Sequence, residues 1–244
     1  MYKLSISVFA ALAAVSTAGY GQTAQLGAAL NFTDVYQVGY AANLNIGDAV
    51  INISNVGAQS GFWVSGVVGG GGSLGNICSN VYTFDSQEEE VSCCACLVTP
   101  NGLDALSVKN DLISNTLTPA VPTSVIIKLV ASVPATNSSG YSVCNPSTID
   151  LTPGHFTQVG VPNNAGAGTG PGWLTNGMIA WGTTLEPDSP TGTYGVVNVP
   201  YQKEPLSTSE LTALTTICNF IQTNGTGYGI CKSCQTGALS GAKN

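Results

Sequence analysis

The stretch Ile77–Val98, ICSNVYTFDSQEEEVSCCACLV, decides the fold class. Two runs rich in Val, Ile, Tyr, Phe and Cys, Ile77–Phe84 and Glu90–Val98, flank the polar turn Asp85, Ser86, Gln87, Glu88, Glu89, which is the pattern of a β-hairpin. Adjacent side chains on a strand point to opposite faces, so Cys93 cannot share a face with Cys94 and Cys96. In a tight hairpin Cys78 falls across from Cys96, and that pair is the expected first bridge.

Outward from this hairpin the same composition recurs at 31–40, 49–56, 61–68, 124–133, 177–185 and 194–199, with Gly, Pro, Asn and Ser clusters between the runs. Many short strands with frequent turn signals predict a mainly β domain, a disulfide-stabilised β-sandwich or partly closed barrel. The glycine-rich stretch from Gly160 to Gly172 reads as a long loop. One C-terminal α-helix is expected near 207–223. Ser207-Thr208-Ser209-Glu210 forms a capping box, and Leu206 and Leu211 are placed as a hydrophobic staple. Leu211, Leu214, Ile217, Cys218 and Ile221 recur at helical spacing up to Asn224-Gly225. A second helical turn is expected over 103–112, after the turn Pro100-Asn101-Gly102.

At the N-terminus Lys3 precedes an apolar run from Ile6 to Val15, and Ser16, Thr17 and Ala18 supply small residues for cleavage. Residues 1–18 therefore read as a signal peptide, 19–234 as a single β-rich domain, and 235–244 as a flexible tail. The apolar run is too short for a membrane span, which needs about 20 residues. The expected product is secreted or cell-surface protein with no transmembrane segment after signal cleavage.

Export permits disulfides, and the chain carries eight cysteines: Cys78, Cys93, Cys94, Cys96, Cys144, Cys218, Cys231 and Cys234. Cys218, Cys231 and Cys234 are expected to fasten the helix, which leaves Cys144 for a hairpin cysteine. The Cys-x-x-Cys spacings at Cys93–Cys96 and Cys231–Cys234 also suit a zinc or redox site, but they lie too far apart for a zinc ribbon, the chain around Cys231 is glycine-rich where a redox motif needs a strand-helix-strand setting, and the absence of a following histidine excludes the c-type haem signature.

Two stretches, CSNVYTFDSQEEEVSCCACLVTPNGLDALSVKNDLISNTLTP at 78–119 and ELTALTTICNFIQTNGTGYGICKSC at 210–234, resemble a set of uncharacterised secreted bacterial proteins sharing the CCxC cluster and a C-terminal helix ending in GICKSC. The resemblance implies export and a disulfide framework, and it carries over no functional residue.

Composition narrows the partners. Charged residues make up 8% of the chain, there is no arginine, and the formal net charge is -7. Without a basic patch, nucleic-acid and anionic-membrane binding are not expected. Mean hydropathy of +0.24 argues for a folded chain. Gly, Ser, Thr and Asn account for 97 of 244 residues, so they must supply much of the surface.

Catalytic signals are sparse. The single histidine, His155, sits in a Pro-Gly turn, and no nucleophile elbow, zinc-protease or phosphate-loop motif occurs. A carboxylate pair can be drawn from Asp34, Asp48, Asp85, Asp104, Asp111, Asp150, Glu186 and Asp188, with nothing in the spacing to select one. No catalytic residue, cofactor or metal ligand is therefore assigned. The acidic set Asp85, Glu88, Glu89 and Glu90 offers hard oxygen ligands to calcium, against the plainer reading of a solvated turn. Trp63, Trp173 and Trp181 lie in or beside glycine-rich segments, and Trp173 is the candidate ligand-binding aromatic.

The sequence reading is thus a secreted, disulfide-stabilised structural or interaction protein at the cell exterior, with a self-assembling matrix, surface or filament subunit as the candidate form. A carbohydrate-binding module engaging extracellular glycans is the alternative. A hydrolase or metal-dependent enzyme comes third.

Overall fold

Ile77–Phe84 and Glu90–Val98 pair antiparallel in the computed structural model, which describes residues 34–58, 75–136, 142–150, 172–188 and 192–232. All of these belong to one unit, Phe32–Asn244. The signal peptide at 1–18, the strand expected at 61–68 with Trp63, His155, residues 160–171 of the glycine-rich loop, Cys234 and the tail at 235–244 lie outside the described residues.

The elements in chain order are β1 (Tyr36–Ala41), β2 (Val50–Asn55), β3 (Ile77–Phe84), β4 (Glu90–Val98), β5 (Leu103–Ser107), β6 (Val125–Ser132), β7 (Ala135–Thr136), β8 (Ser142–Val143), β9 (Ile149–Asp150), β10 (Gly172–Trp173), β11 (Met178–Asp188), β12 (Thr193–Pro200), β13 (Gln202–Lys203) and α1 (Thr208–Thr223). They build a five-stranded sheet, β13-β1-β6-β3-β4, and a four-stranded sheet, β12-β11-β2-β5, both antiparallel. Short pairs, β7 with β8 and β9 with β10, stand apart from these. The fold is a mainly β sandwich, not a closed barrel, with one C-terminal helix.

Burial follows the alternation of side chains across the sheets. Ile51, Ile53, Ile77, Val81, Cys94, Cys96, Val98, Ile127, Leu129, Met178 and Ala180 fill the core between the sheets. Tyr36, Tyr82, Cys93 and Val130 point from the other face of the five-stranded sheet and meet Leu211, Leu214, Cys218 and Ile221 of α1. That sheet is thus covered on both faces, and β3 and β4 are buried almost throughout. This explains why neither strand alternates apolar with solvent-facing residues, and why Ser79, Asn80, Thr83 and Ser92 are buried among apolar neighbours.

Gln37 of β1, 1% exposed, ties the layers together. Its Nε2 donates to the Met178 carbonyl at 2.7 Å, and its Oε1 accepts from the Ala180 amide at 3.2 Å. A buried side-chain amide here makes the bonds that an adjacent strand would make.

Three disulfides follow this layering: Cys78–Cys144, Cys93–Cys218 and Cys94–Cys231. Cys96 is also disulfide-bonded. The expected Cys78–Cys96 bridge is overturned, and the cause is a β-bulge. Phe84 faces Glu90 at the turn, but the register shifts after Thr83, so Cys78 faces Leu97 and Cys96 faces Ser79. One extra residue moves the two cysteines out of alignment, and Cys144 takes Cys78. The separation of Cys93 from Cys94 and Cys96 onto opposite faces holds, since Cys93 joins the helix-side core and the other two the inter-sheet core.

The helical turn expected over 103–112 is corrected in its first half. Leu103–Ser107 pairs with β2 as β5, and only Val108–Leu112 turns helically. Ser107 Oγ caps that turn by accepting from the Asn110 amide at 2.9 Å.

Candidate functional site

The most unusual chemistry of the described residues lies between the five-stranded sheet and the first turns of α1. Glu90 opens β4 opposite Phe84 and is 3% exposed, and neither of its carboxyl oxygens has a hydrogen-bond partner. Burial pushes its pKa up to about 8; Lys128 pulls the other way and Glu210 adds to the rise. Lys128, from β6, lies 2.6 Å from Glu210 Oε1 of α1 and 4.3 Å from the centre of the Phe84 ring. Tyr36 of β1 donates to the same Glu210 oxygen at 3.3 Å, and desolvation followed by the Glu210 charge holds its hydroxyl protonated far above the usual range. Tyr82, fully buried, donates to the Pro146 carbonyl at 2.6 Å.

The local sequence explains this assembly. Ser207 caps α1 through the Glu210 amide at 3.1 Å, as the capping box predicts. Glu210 does not reach back to complete the box; its carboxylate turns to Lys128 and Tyr36 instead. A helix start thereby becomes an ion-pair anchor to the sheet. Sequence reading named Glu90 only as a turn acid of the calcium set and did not single out Lys128, although an acid opening a strand and a lysine inside VIIKLVAS were the available signals for a buried cluster.

The proposed calcium set does not converge. Asp85 Oδ1 shapes the turn by accepting from the Gln87 and Glu89 amides at 2.8 and 3.0 Å, while Glu88 adopts φ of 66°. Glu88 and Glu89 face solvent, and Glu90 goes under the helix. Among the described residues, Glu90, Cys93 and Cys218 are the group whose ligand atoms lie within 4.8 Å of one another. Cys93 and Cys218 are bonded to each other, so neither offers a thiolate.

Of the other carboxylates, Asp48 and Asp111 meet at Ser107. The Ser107 hydroxyl donates to Asp48 Oδ2, and its amide donates to Asp111 Oδ2 at 2.7 Å. Asp48 also accepts from the Ala49 and Lys109 amides at 2.8 and 2.9 Å, so its oxygens hold backbone in place. Trp173 stands in β10, paired in parallel with Asp150 of β9.

A second feature is a surface. β12 is the outer strand of the four-stranded sheet, and all eight of its residues, TYGVVNVP, are exposed. Tyr194, Val196 and Val199 expose 56%, 65% and 48% of their area. On the outer face of the same sheet, half-buried Trp181 lies beside a polar row in which Asn52 donates to Thr183 Oγ1 at 3.3 Å and Thr183 donates to Asn198 Oδ1 at 2.6 Å. Among the described residues no helix is long and apolar enough to cross a membrane.

No protein-family model, curated protein or solved structure matches this chain.

Proposed function

We propose that this chain is an exported, disulfide-fastened structural or interaction protein of the cell exterior that associates with its own kind through an open sheet edge. The observation that carries the reading is β12, eight uncharged, exposed residues at the margin of a sheet. Such an edge is a template for strand addition unless charge, a bulge or a covering segment blocks it. Three disulfides support an oxidising compartment, in keeping with the resemblance to secreted CCxC proteins. The acid-lysine cluster acts in this reading as an internal anchor for α1, since its groups face one another.

Sedimentation velocity of oxidised protein recovered from culture medium tests the reading. Association that grows with concentration is the expected result. A single monomer species up to several hundred micromolar overturns it and favours a second reading, glycan binding on the outer sheet face. That reading rests on the row Trp181, Asn52, Thr183 and Asn198, which offers an aromatic ring beside amide and hydroxyl groups. Loss of retention on insoluble polysaccharide in Trp181→Ala would support it.

A further inference from the structure

The two main sheets have four edges, and three of them are managed. β4 is closed by other chain segments: the Cys93 amide donates to the Gly229 carbonyl at 2.9 Å, the Leu117 amide donates to the Val91 carbonyl at 2.8 Å, and Cys93 bridges Ile230. The Cys94–Cys231 disulfide pins the 229–231 cover in place. β13 is two residues long, and β5 is short and carries Asp104. Among the described residues β12 shows none of these protections along Tyr194–Val199, and its last residue, Pro200, lacks a backbone donor.

From this contrast we infer that β12 pairs antiparallel with β12 of a second copy, joining two four-stranded sheets into one continuous eight-stranded sheet. The inference rests on the self-association proposed above and specifies its geometry.

Two identical strands that pair edge to edge and antiparallel are related by a two-fold axis normal to the sheet. One residue must then oppose its own copy. Centring the pair on Val196 places Thr193 against Val199, Tyr194 against Asn198 and Gly195 against Val197, and leaves Pro200 outside the ladder. Composition permits the same pairing: no residue of β12 is charged, so the two-fold axis brings no like charges face to face along the ladder.

An interface of this kind is isologous and closes at two copies. Seven paired residues run for about 24 Å at roughly 3.4 Å each. That is a narrow contact beside the roughly 800 Å² per partner of a standard interface, so the dimer belongs to the weak, exchanging class.

Sedimentation equilibrium of wild type, Val196→Lys, Val196→Glu and an equimolar mixture of the two variants provides the test. Val196 is 65% exposed, so both variants should keep the thermal midpoint of the wild type, which separates lost pairing from lost fold. The expected result is a monomer–dimer equilibrium for wild type, at least a tenfold weaker association for each variant alone, and recovery in the mixture as opposite charges meet across the axis. Variants that associate as wild type does, or a mixture that stays monomeric, overturn this pairing while leaving self-association standing. An open-ended series of wild-type oligomers overturns the two-fold closure. A wild type that stays monomeric overturns both this inference and the self-association on which it rests.

Discussion

Glu90 makes stability depend on pH in an unusual direction for a carboxyl. Its proton is held in the folded chain up to about pH 8 and released near 4.5 when the chain unfolds. Between those values the folded state binds more protons than the unfolded state, so stability should fall as pH rises. At about 1.4 kcal/mol per unit, the loss from Glu90 is on the order of 4–5 kcal/mol as an upper bound. Lys128, Glu210, Phe84 and Tyr82 surround or face this carboxyl, and Lys128 is the group that opposes the trend. Guanidinium midpoints measured from pH 5 to 9 should decline in wild type and flatten in Glu90→Gln. A glycine gives a second residue-scale expectation. A Cβ on Gly39 would lie 2.2 Å from the Tyr201 ring, which is buried against β1. Gly39→Ala should cost about 1–3 kcal/mol by overpacking, read as a lower thermal midpoint.

Among the elements, α1 was the most legible. Its cap, its apolar stripe and its end at Asn224 follow from local chemistry, and the structure places Thr208–Thr223 where the sequence predicts a helix. Leu211, Leu214, Cys218 and Ile221 are buried as the spacing requires, whereas Ile217 remains 37% exposed at the margin of the stripe. The hairpin was legible in its strands and illegible in its register, because a bulge adds one residue without an evident mark in VSCCAC. Residues 103–107 were misassigned since strand pairing with β2 outweighs a weak helical pattern. The Glu90 cluster escaped because it depends on four strands, β1, β3, β4 and β6, meeting a helix, which no local pattern encodes. The cap of α1 and its disulfide to β4 should differ in weight. Ser207→Ala removes a cap and should cost about 1 kcal/mol. Replacing Cys93 and Cys218 together by Ala should cost about 2–5 kcal/mol, since their bridge closes 125 residues of sequence. Denaturant midpoints of the two variants give the comparison.

The described residues of the unit Phe32–Asn244 form three layers fastened through the middle one. Cys93 and Cys94, adjacent in sequence, send their bonds in opposite directions, one to α1 and one to Cys231 beside the inter-sheet core. Proteolytic mapping without reductant should recover Cys78–Cys144, Cys93–Cys218 and Cys94–Cys231, and a Cys78–Cys96 peptide would contradict the register.

That crossed arrangement imposes a timetable on biosynthesis. The partners of Cys93 and Cys94 are made 125 and 137 residues later, so both thiols leave the ribosome well before anything they can bond correctly. At roughly 5–20 residues per second the wait is on the order of 6–30 s. During that interval Cys78, Cys93, Cys94 and Cys96 are one another's nearest thiols, and any bond among them must later be undone. The adjacent pair that locks the finished protein from both sides therefore cannot be completed until the last part of the chain arrives, and a premature bond among the earlier thiols would have to be undone by thiol–disulfide exchange.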